Sequence, residues 1–364
     1  MKQINKVLPL PETPYITQYF TENCVFFDIE TTGFSPKNAF VYLIGIAVRK
    51  GNQIHIQQFL AEKRTDEKDI LSAFYQQIAY ADTLITFNGT GFDIPFLKGR
   101  DNLYNLEQCW DTYWHIDLYK LTGKFAHLFH LPNKKQKSLE LFLGINRDDL
   151  YSGGELISVY RDYEKDKDSH KEELLLLHNY EDVLGMTDLL SLLSYRDLFS
   201  NHFHVNSAKM QTYRPYHAEA DAWELFIDIS VEIPFPKPFF YQGDFCTIKC
   251  EGDSVRLVTK IFYGELKFFY DNYKDYYYLP EEDMAVHKSV ASFVDAAHRK
   301  KATATTCYTK KTGYFLPQTD KIFTPVFYPE KKSRISFFEV TEEFLTDKDA
   351  LYNYAVQLIA SCLH

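Results

Sequence analysis

The sequence predicts an α/β fold, a mixed sheet with flanking helices, followed by a smaller α+β module. Three observations carry this expectation. The apolar run Cys24-Val-Phe-Phe27 leads into Asp28-Ile-Glu-Thr-Thr-Gly33, the pattern of a buried strand closed by a glycine turn. Two further runs, Phe40–Val48 and Gln53–Leu60, flank Gly51-Asn52 and read as a hairpin. Beyond them, helical and strand patterns alternate, as helix-linked strands do.

The elements follow in chain order. Cys24–Glu30 is the first strand, and the hairpin pair completes a three-strand antiparallel start. Asp66–Ala81 reads as a helix capped near Thr65 or Asp66. Thr83–Phe87 is a strand, Asn88-Gly-Thr-Gly91 a turn, and Asp93-Ile-Pro-Phe-Leu-Lys98 the start of a helix, with Pro95 tolerated in the first turn. His115–Leu118 is a short strand. A long helix spans about Ser169 to Tyr195. Its apolar residues, Leu174 to Leu177 and Val183 to Leu193, lie almost all round, so it should be largely buried.

This places a first domain over residues 1–200. Residues 201–217 are polar, contain His202, His204, His217 and Arg214-Pro215, and read as a connector. Residues 218–364 form the second domain. Strands are expected at Trp223–Ile233, Phe245–Cys250, Ser254–Phe262 and Glu265–Tyr270, with turns at Glu251–Ser254 and Tyr263–Glu265. A helix should open at Pro280-Glu-Glu-Asp283 and run through Ala297, and an amphipathic helix over Thr346–Leu363 should close the chain.

Composition limits the partners. The 364 residues carry 40 basic against 50 acidic side chains. Blanket electrostatic binding to nucleic acid is therefore disfavoured, and any binding face must be local. Met1 to Pro14 lacks the apolar stretch of a secretory signal, and no run is long enough to span a membrane. The six cysteines are scattered, with Cys246 and Cys250 unaccompanied by a second close pair, so reduced thiols in a cytoplasmic protein are expected.

Five residues stand out as chemistry. Asp28 and Glu30 are two apart on a strand, so both carboxylates point the same way at the end of a core element. Such a pair is costly unless something positive faces it, and oxygen ligands favour Mg²⁺ or Mn²⁺. Asp93 follows a glycine-rich turn at the sheet's C-terminal edge, where open α/β sheets bind ligands. A helix cap is the plain alternative. His178 and Asp182 are four apart and share a helix face, with a surface His–Asp pair as the alternative. Gly185 lies near that face and would let another segment approach closely.

Taken together, these motifs resemble those of the DEDD (DnaQ-like) 3′→5′ exonucleases of the ribonuclease H-like superfamily. Asp28-Ile-Glu-Thr-Thr-Gly33 looks like the first motif, Asn88-x-x-x-Phe92-Asp93 the second and His178-x-x-x-Asp182 the third. The resemblance is closest to the YprB-like branch, on Phe87-Asn-Gly-x-x-Phe-Asp-x-Pro-Phe96, His115-Ile-Asp-Leu118, Asp148-Asp149 and His178-Asn-x-x-Asp182, and covers roughly the first 200 residues. It implies a ribonuclease H-like sheet and phosphodiester hydrolysis with two metal ions. Asp28 would bridge both ions, Glu30 and Asp182 would hold the one that generates the nucleophile, and Asp93 would hold the second. His178 would be the general base. Thr31, Phe34, Asn88 and Phe92 match positions that line the site for the terminal nucleotide, although turn chemistry or core packing explains each equally well. One departure is that a His here takes the three-residue spacing usual for Tyr.

The expected activity is a metal-dependent nuclease, foremost a 3′→5′ exonuclease on single-stranded DNA or RNA, with no membrane involvement. The alternatives are a structure-dependent ribonuclease H-like endonuclease and a non-catalytic nucleic-acid-binding protein on a nuclease fold. Asp117 reads as a helix cap or an outer acid of the site. His298-Arg-Lys-Lys301 and Lys310-Lys311, near Tyr308, Tyr314 and Phe315, suit single strands, but equally a solvated helix end. Lys134-Lys-Gln-Lys137 is a basic loop that would touch phosphate or only water.

Overall fold

Residues 1–214 and 221–363 are described by the computed structural model, so His217 lies outside the described residues. The chain divides into two units, one of Met1–Ser200 with Ile233–Lys237, the other of Asn201–Glu232 with Pro238–His364.

The first unit is built on a six-stranded sheet. Its strands are β1 (Lys2–Pro9), β2 (Cys24–Thr31), β3 (Val41–Lys50), β4 (Gln53–Leu60), β5 (Thr83–Thr86) and β6 (Trp114–Asp117), in the order β1-β4-β3-β2-β5-β6. The β1, β4, β3 and β2 neighbours run antiparallel, whereas β5 and β6 continue from β2 in parallel. Around the sheet lie α1 (Pro14–Tyr19), α2 (Glu67–Ile78), α3 (Asp93–Tyr104), α4 (Leu118–Thr122), α5 (Gln136–Leu143), α6 (Gly153–Asp166), α7 (Ser169–Leu189) and α8 (Leu193–Phe199). This is the ribonuclease H-like arrangement of a mixed sheet with flanking helices.

The core explains the order. Strand β2 is buried at every position except Asp28, and β3 is buried over its first eight residues, as central strands covered on both faces must be. Val25, Phe27 and Ile29 pack with Ile70, Leu71 and Phe74 of α2 on one face of the sheet. Tyr42, Leu43 and Leu60 meet Leu156, Tyr160 and Leu175 on the other. Gly45 makes the α7 packing possible, because a Cβ there would lie 2.2 Å from the side-chain oxygen of Asn179.

The second unit is β-rich. Strands β7 (His204–Tyr213), β8 (Ala222–Ser230), β9 (Phe239–Gln242), β10 (Thr247–Glu251) and β11 (Ser254–Phe269) are followed by β12 (Tyr276–Leu279), β13 (Met284–His287), α9 (Lys288–Ala291), β14 (Lys300–Lys301), β15 (Tyr308–Gln318) and β16 (Ser336–Glu339). Helices α10 (Glu342–Thr346) and α11 (Lys348–Ser361) close the chain. The long β11 is the axis of a seven-stranded sheet; its first half pairs with β8 and β10 and its second half with β15.

Three expectations are corrected, and one strand had no expectation. The connector 201–217 contains strand β7, which pairs along its length with β8; its side chains are mostly polar and exposed, so the pairing is written in backbone bonds rather than in an apolar pattern. The segment 280–297 is not one helix, because Tyr276–Leu279 and Met284–His287 form a hairpin and within it only Lys288–Ala291 is α-helical. The turn expected at Tyr263-Gly-Glu265 is absent because β11 runs straight through, Gly264 facing Gly313 in the register with β15. Strand β1, a polar edge strand, carries no apolar alternation that would announce it.

Candidate active site

Strand β2, the turn after β5 and helix α7 bring the carboxylates together. Strand alternation puts Asp28 and Glu30 on one face, and the amide of Ile29 between them donates to Asp93 Oδ1 at 3.1 Å. Asp93, the first residue of α3, is therefore joined to β2, beyond what capping its own helix would ask of it. From α7, His178 Nε2 lies 3.3 Å from Glu30 Oε1 and 3.2 Å from Asp182 Oδ2. Asn179, one residue on, donates to Asp28 Oδ2 at 3.1 Å.

The electrostatics reflect this crowding. Burial, and then the charges of Asp182, Asp93 and Glu30, hold the Asp28 carboxyl well above the ordinary carboxylate range. Burial followed by Asp182 and Asp93 does the same to Glu30. Burial also pushes Asp93 up to about 7, against the opposing hydrogen bond from Ile29. Burial first, and the neighbouring like charges second, explain all three directions.

The donor set fits a cation. Glu30, His178 and Asp182 each present one ligand atom, all within 4.8 Å of one another. The carboxylate oxygens of Glu30 and Asp182 suit hard divalent ions, with His178 Nε2 standing beside them. Asp182 has its other oxygen held by Arg147, whose guanidinium also bonds the buried Glu140. Gln136 adds a bond to the Asp182 carbonyl at 2.7 Å. Gly185 leaves room for this group, since a Cβ there would lie 2.0 Å from Glu140 Oε1.

The four residues matched to the terminal-nucleotide site are placed less uniformly. Phe34 is 85% exposed and meets Phe92 edge-on at 6.3 Å between ring centres. Asn88 is exposed and adopts a left-handed backbone at φ 64°. Thr31 is buried, and its hydroxyl is spent on the Gly33 carbonyl at 2.8 Å. Asp117 fixes the turn that carries Asn88, Phe92 and Asp93. Its carboxylate accepts from the amides of Asn88 (2.8 Å) and Thr90 (3.2 Å) and also caps α4 at Tyr119 (3.1 Å).

Asn179 and Asp149 lie in segments that carry the YprB-like resemblance, but the sequence assigned them no role; their partners emerge only from the fold. Asn179 accepts from Gln58 Nε2 at 3.0 Å while holding Asp28, so a buried amide pair from β4 and α7 orients a carboxylate on β2. Asp149 Oδ2 lies 2.7 Å from His178 Nδ1. Lys137, expected in a loop, lies on α5 and bonds Asp149 and the Tyr151 carbonyl. In the second unit, Lys310 pairs with Asp283 and Lys311 with Glu339, so these cations already have acidic partners.

Residues 25–194 match the family RNase_H_2, described as RNase_H superfamily. The sheet order above is that of the ribonuclease H-like fold. The chain is 27% identical over 214 residues to the uncharacterized protein YprB of Bacillus subtilis (strain 168), a match covering 56% of this chain and 50% of that protein. The chain thus spans about half the length of this curated relative. Among solved structures it is similar to the family B DNA polymerase of Pyrobaculum calidifontis, with 14% identity, a TM-score of 0.36, and coverage of 69% of this chain and 35% of the polymerase. It is also similar to E. coli exonuclease I in complex with a dT13 oligonucleotide, with 12% identity, a TM-score of 0.32, and coverage of 57% and 54%. Among the described residues, no helix is long and apolar enough to cross a membrane.

Proposed function

We propose that this protein is a divalent-metal-dependent nuclease, acting foremost as a 3′→5′ exonuclease on single-stranded nucleic acid. The observation that supports it most is the clustering of Asp28, Glu30, Asp93 and Asp182, with His178 Nε2 between two of them. Four carboxylates at this spacing repel one another, and two divalent cations, Mg²⁺ or Mn²⁺, relieve that repulsion. Asp28, Glu30, Asp93 and Asp182 would hold such ions. When bound, such ions favour ionised water near neutral pH and offset the charge on the leaving oxygen.

The chain's own groups do the rest. His178 Nε2 takes the proton from the attacking water, and a histidine is suited to that near neutral pH. Asn179 keeps Asp28 oriented, and Asp117 keeps the Asn88–Asp93 turn in place. Phe34 and Phe92 offer an apolar wall for the terminal base, beside Thr31 and Asn88. The acidic balance of the chain leaves phosphate contacts to local groups. We infer that the protein acts in the cytoplasm.

The test is hydrolysis of single-stranded DNA and RNA carrying a label at either end, in Mg²⁺, Mn²⁺ or EDTA. Release of mononucleotides from the 3′ end, abolished by EDTA and by Asp28→Asn, is expected. Internal cuts would replace the exonuclease reading with an endonuclease. Binding without metal-dependent cleavage would make the protein a non-catalytic binder.

A further inference from the structure

The loop between α5 and α6 grips one face of α7. Three consecutive residues do this. Arg147 bonds Asp182, and the amides of Asp148 and Asp149 donate to the two carboxylate oxygens of Glu181 at 2.9 and 3.0 Å. Asp149 Oδ2 lies 2.7 Å from His178 Nδ1, within hydrogen-bond distance. His178, Glu181 and Asp182 are spaced i, i+3, i+4, so they share one helix face, and each has a partner in the loop.

We propose that Asp149 is a positioning residue that fixes His178 as its Nδ1–H tautomer, so that the bare Nε2 faces Glu30 and Asp182. The proposal deepens the nuclease reading and rests on it for its catalytic meaning. The two ring nitrogens compete for one proton, and the hydrogen bond at one decides the state of the other. With the proton on Nε2, the Nδ1 lone pair would face a carboxylate oxygen at 2.7 Å. With the proton on Nδ1, the Nε2 lone pair faces Glu30 and Asp182 at 3.3 and 3.2 Å, and a cation on those carboxylates removes that conflict.

Asp149 is built to stay an acceptor. It is 6% exposed, and the same Oδ2 receives Lys137 Nζ at 2.7 Å while Oδ1 receives the Tyr151 amide at 3.0 Å. Against the cost of its burial, the bonds from Lys137, Tyr151 and His178 hold its carboxyl below the ordinary range. Glu181 ties the backbone of Asp149 to the same helix that carries His178, so ring and acceptor share one support. Carboxylate–imidazole pairs of this kind set ring orientation and tautomer elsewhere in proteins.

Asp149→Asn tests this. An Asn cannot accept from His178, Lys137 and Tyr151 together, because one of its two positions becomes a donor. The first readout is the ¹⁵N spectrum of histidine-labelled, Mg²⁺-saturated protein at pH 8.5, with His178 assigned by its loss in His178→Ala. The proton is expected on Nδ1 and absent from Nε2. A proton on Nε2 overturns the proposal whether or not the protein cleaves nucleic acid. The second readout is turnover. Asp149→Asn should lower kcat by about 10²–10⁴-fold with KM changed less than threefold. In the His178→Ala background the same substitution should change kcat less than threefold, because Asp149 acts through the ring. An undiminished fall in that background, or a Lys137→Met protein that loses the Nδ1 proton, would show that Asp149 serves only the fold or that Lys137 sets the tautomer. Either result overturns the proposal. Absence of cleavage in wild type, with the Nδ1 proton in place, would reject the nuclease reading and leave the tautomer assignment standing.

Discussion

Asn179 on α7 donates to Asp28 on β2 at 3.1 Å, and its own carbonyl oxygen occupies the space that a side chain on Gly45 would need. The Asp28 carboxylate is thus held by a buried amide that fits because β3 has a glycine opposite it. Gly45→Ala should displace Asn179 and cost about 1–3 kcal/mol of stability, the range for overpacking a closed core. It should also weaken the rise in Tm that millimolar Mn²⁺ gives. Urea melts with and without Mn²⁺ measure both, and an unchanged Mn²⁺ response would separate Asn179 from the metal site.

The carboxylate cluster makes a pH prediction for the metal-free protein. Asp93 sits at about 7 in the folded state against an ordinary 3.8, and Asp28 and Glu30 are also raised. Between those values the folded state holds protons that the unfolded state has released. Stability from these groups therefore falls as pH rises from about 4 to about 7. Divalent metal should offset the loss, so the Mn²⁺-induced shift in Tm should be larger at pH 7.5 than at pH 5. Asp93→Asn should flatten the metal-free profile. A metal-free Tm that climbs across this window in wild type but not in Asp93→Asn would contradict a destabilising carboxylate cluster.

His178→Ala should lower turnover by about 10²–10⁴ while leaving substrate binding nearly intact, as loss of a general base does. His178→Tyr is the sharper variant, since the spacing to Asp182 is the one usual for Tyr. Retained activity in that variant would support proton transfer at this position. Wild-type turnover in His178→Ala would remove the ring from the mechanism.

A buried ion pair supports the loop that carries Phe34. Arg100 bonds Glu67 through Nε at 2.7 Å and donates from Nη1 to the Pro36 carbonyl at 2.7 Å. Glu67 also accepts from the Val41 amide at 2.9 Å and from Tyr104 at 2.8 Å. Both charged residues are at most 1% exposed. Arg100→Met would leave Glu67 charged and buried and should cost about 3–5 kcal/mol. KM should rise with it as the 32–40 loop loses its tie to α3. A loss under about 1 kcal/mol in urea unfolding would show that Glu67 finds another partner.

Much of the first unit was legible because its signals are local. The apolar run before Asp28 marks a central strand, and Gln53–Leu60 is observed at its expected bounds. A period of two places Asp28 beside Glu30, and a period of 3.6 places His178 beside Asp182. Those periods are properties of the backbone and need no knowledge of the rest of the chain. The second unit was read less well because its strands are short, polar or continuous through glycine. There backbone pairing, such as β7 with β8, outweighs side-chain pattern.

The sequence by itself determined which residue types stand at strand end, turn and helix face, and so the class of chemistry this protein's first unit is suited to. Only the tertiary structure decided their partners. Asp149 lies 29 positions before His178, and Asn179 lies 151 positions after Asp28. No helical or strand period links positions that far apart. A hydrogen bond depends on distance in space, and distance in space is set by packing, in this chain by Gly45 and Gly185 letting α7 close on β3 and α5.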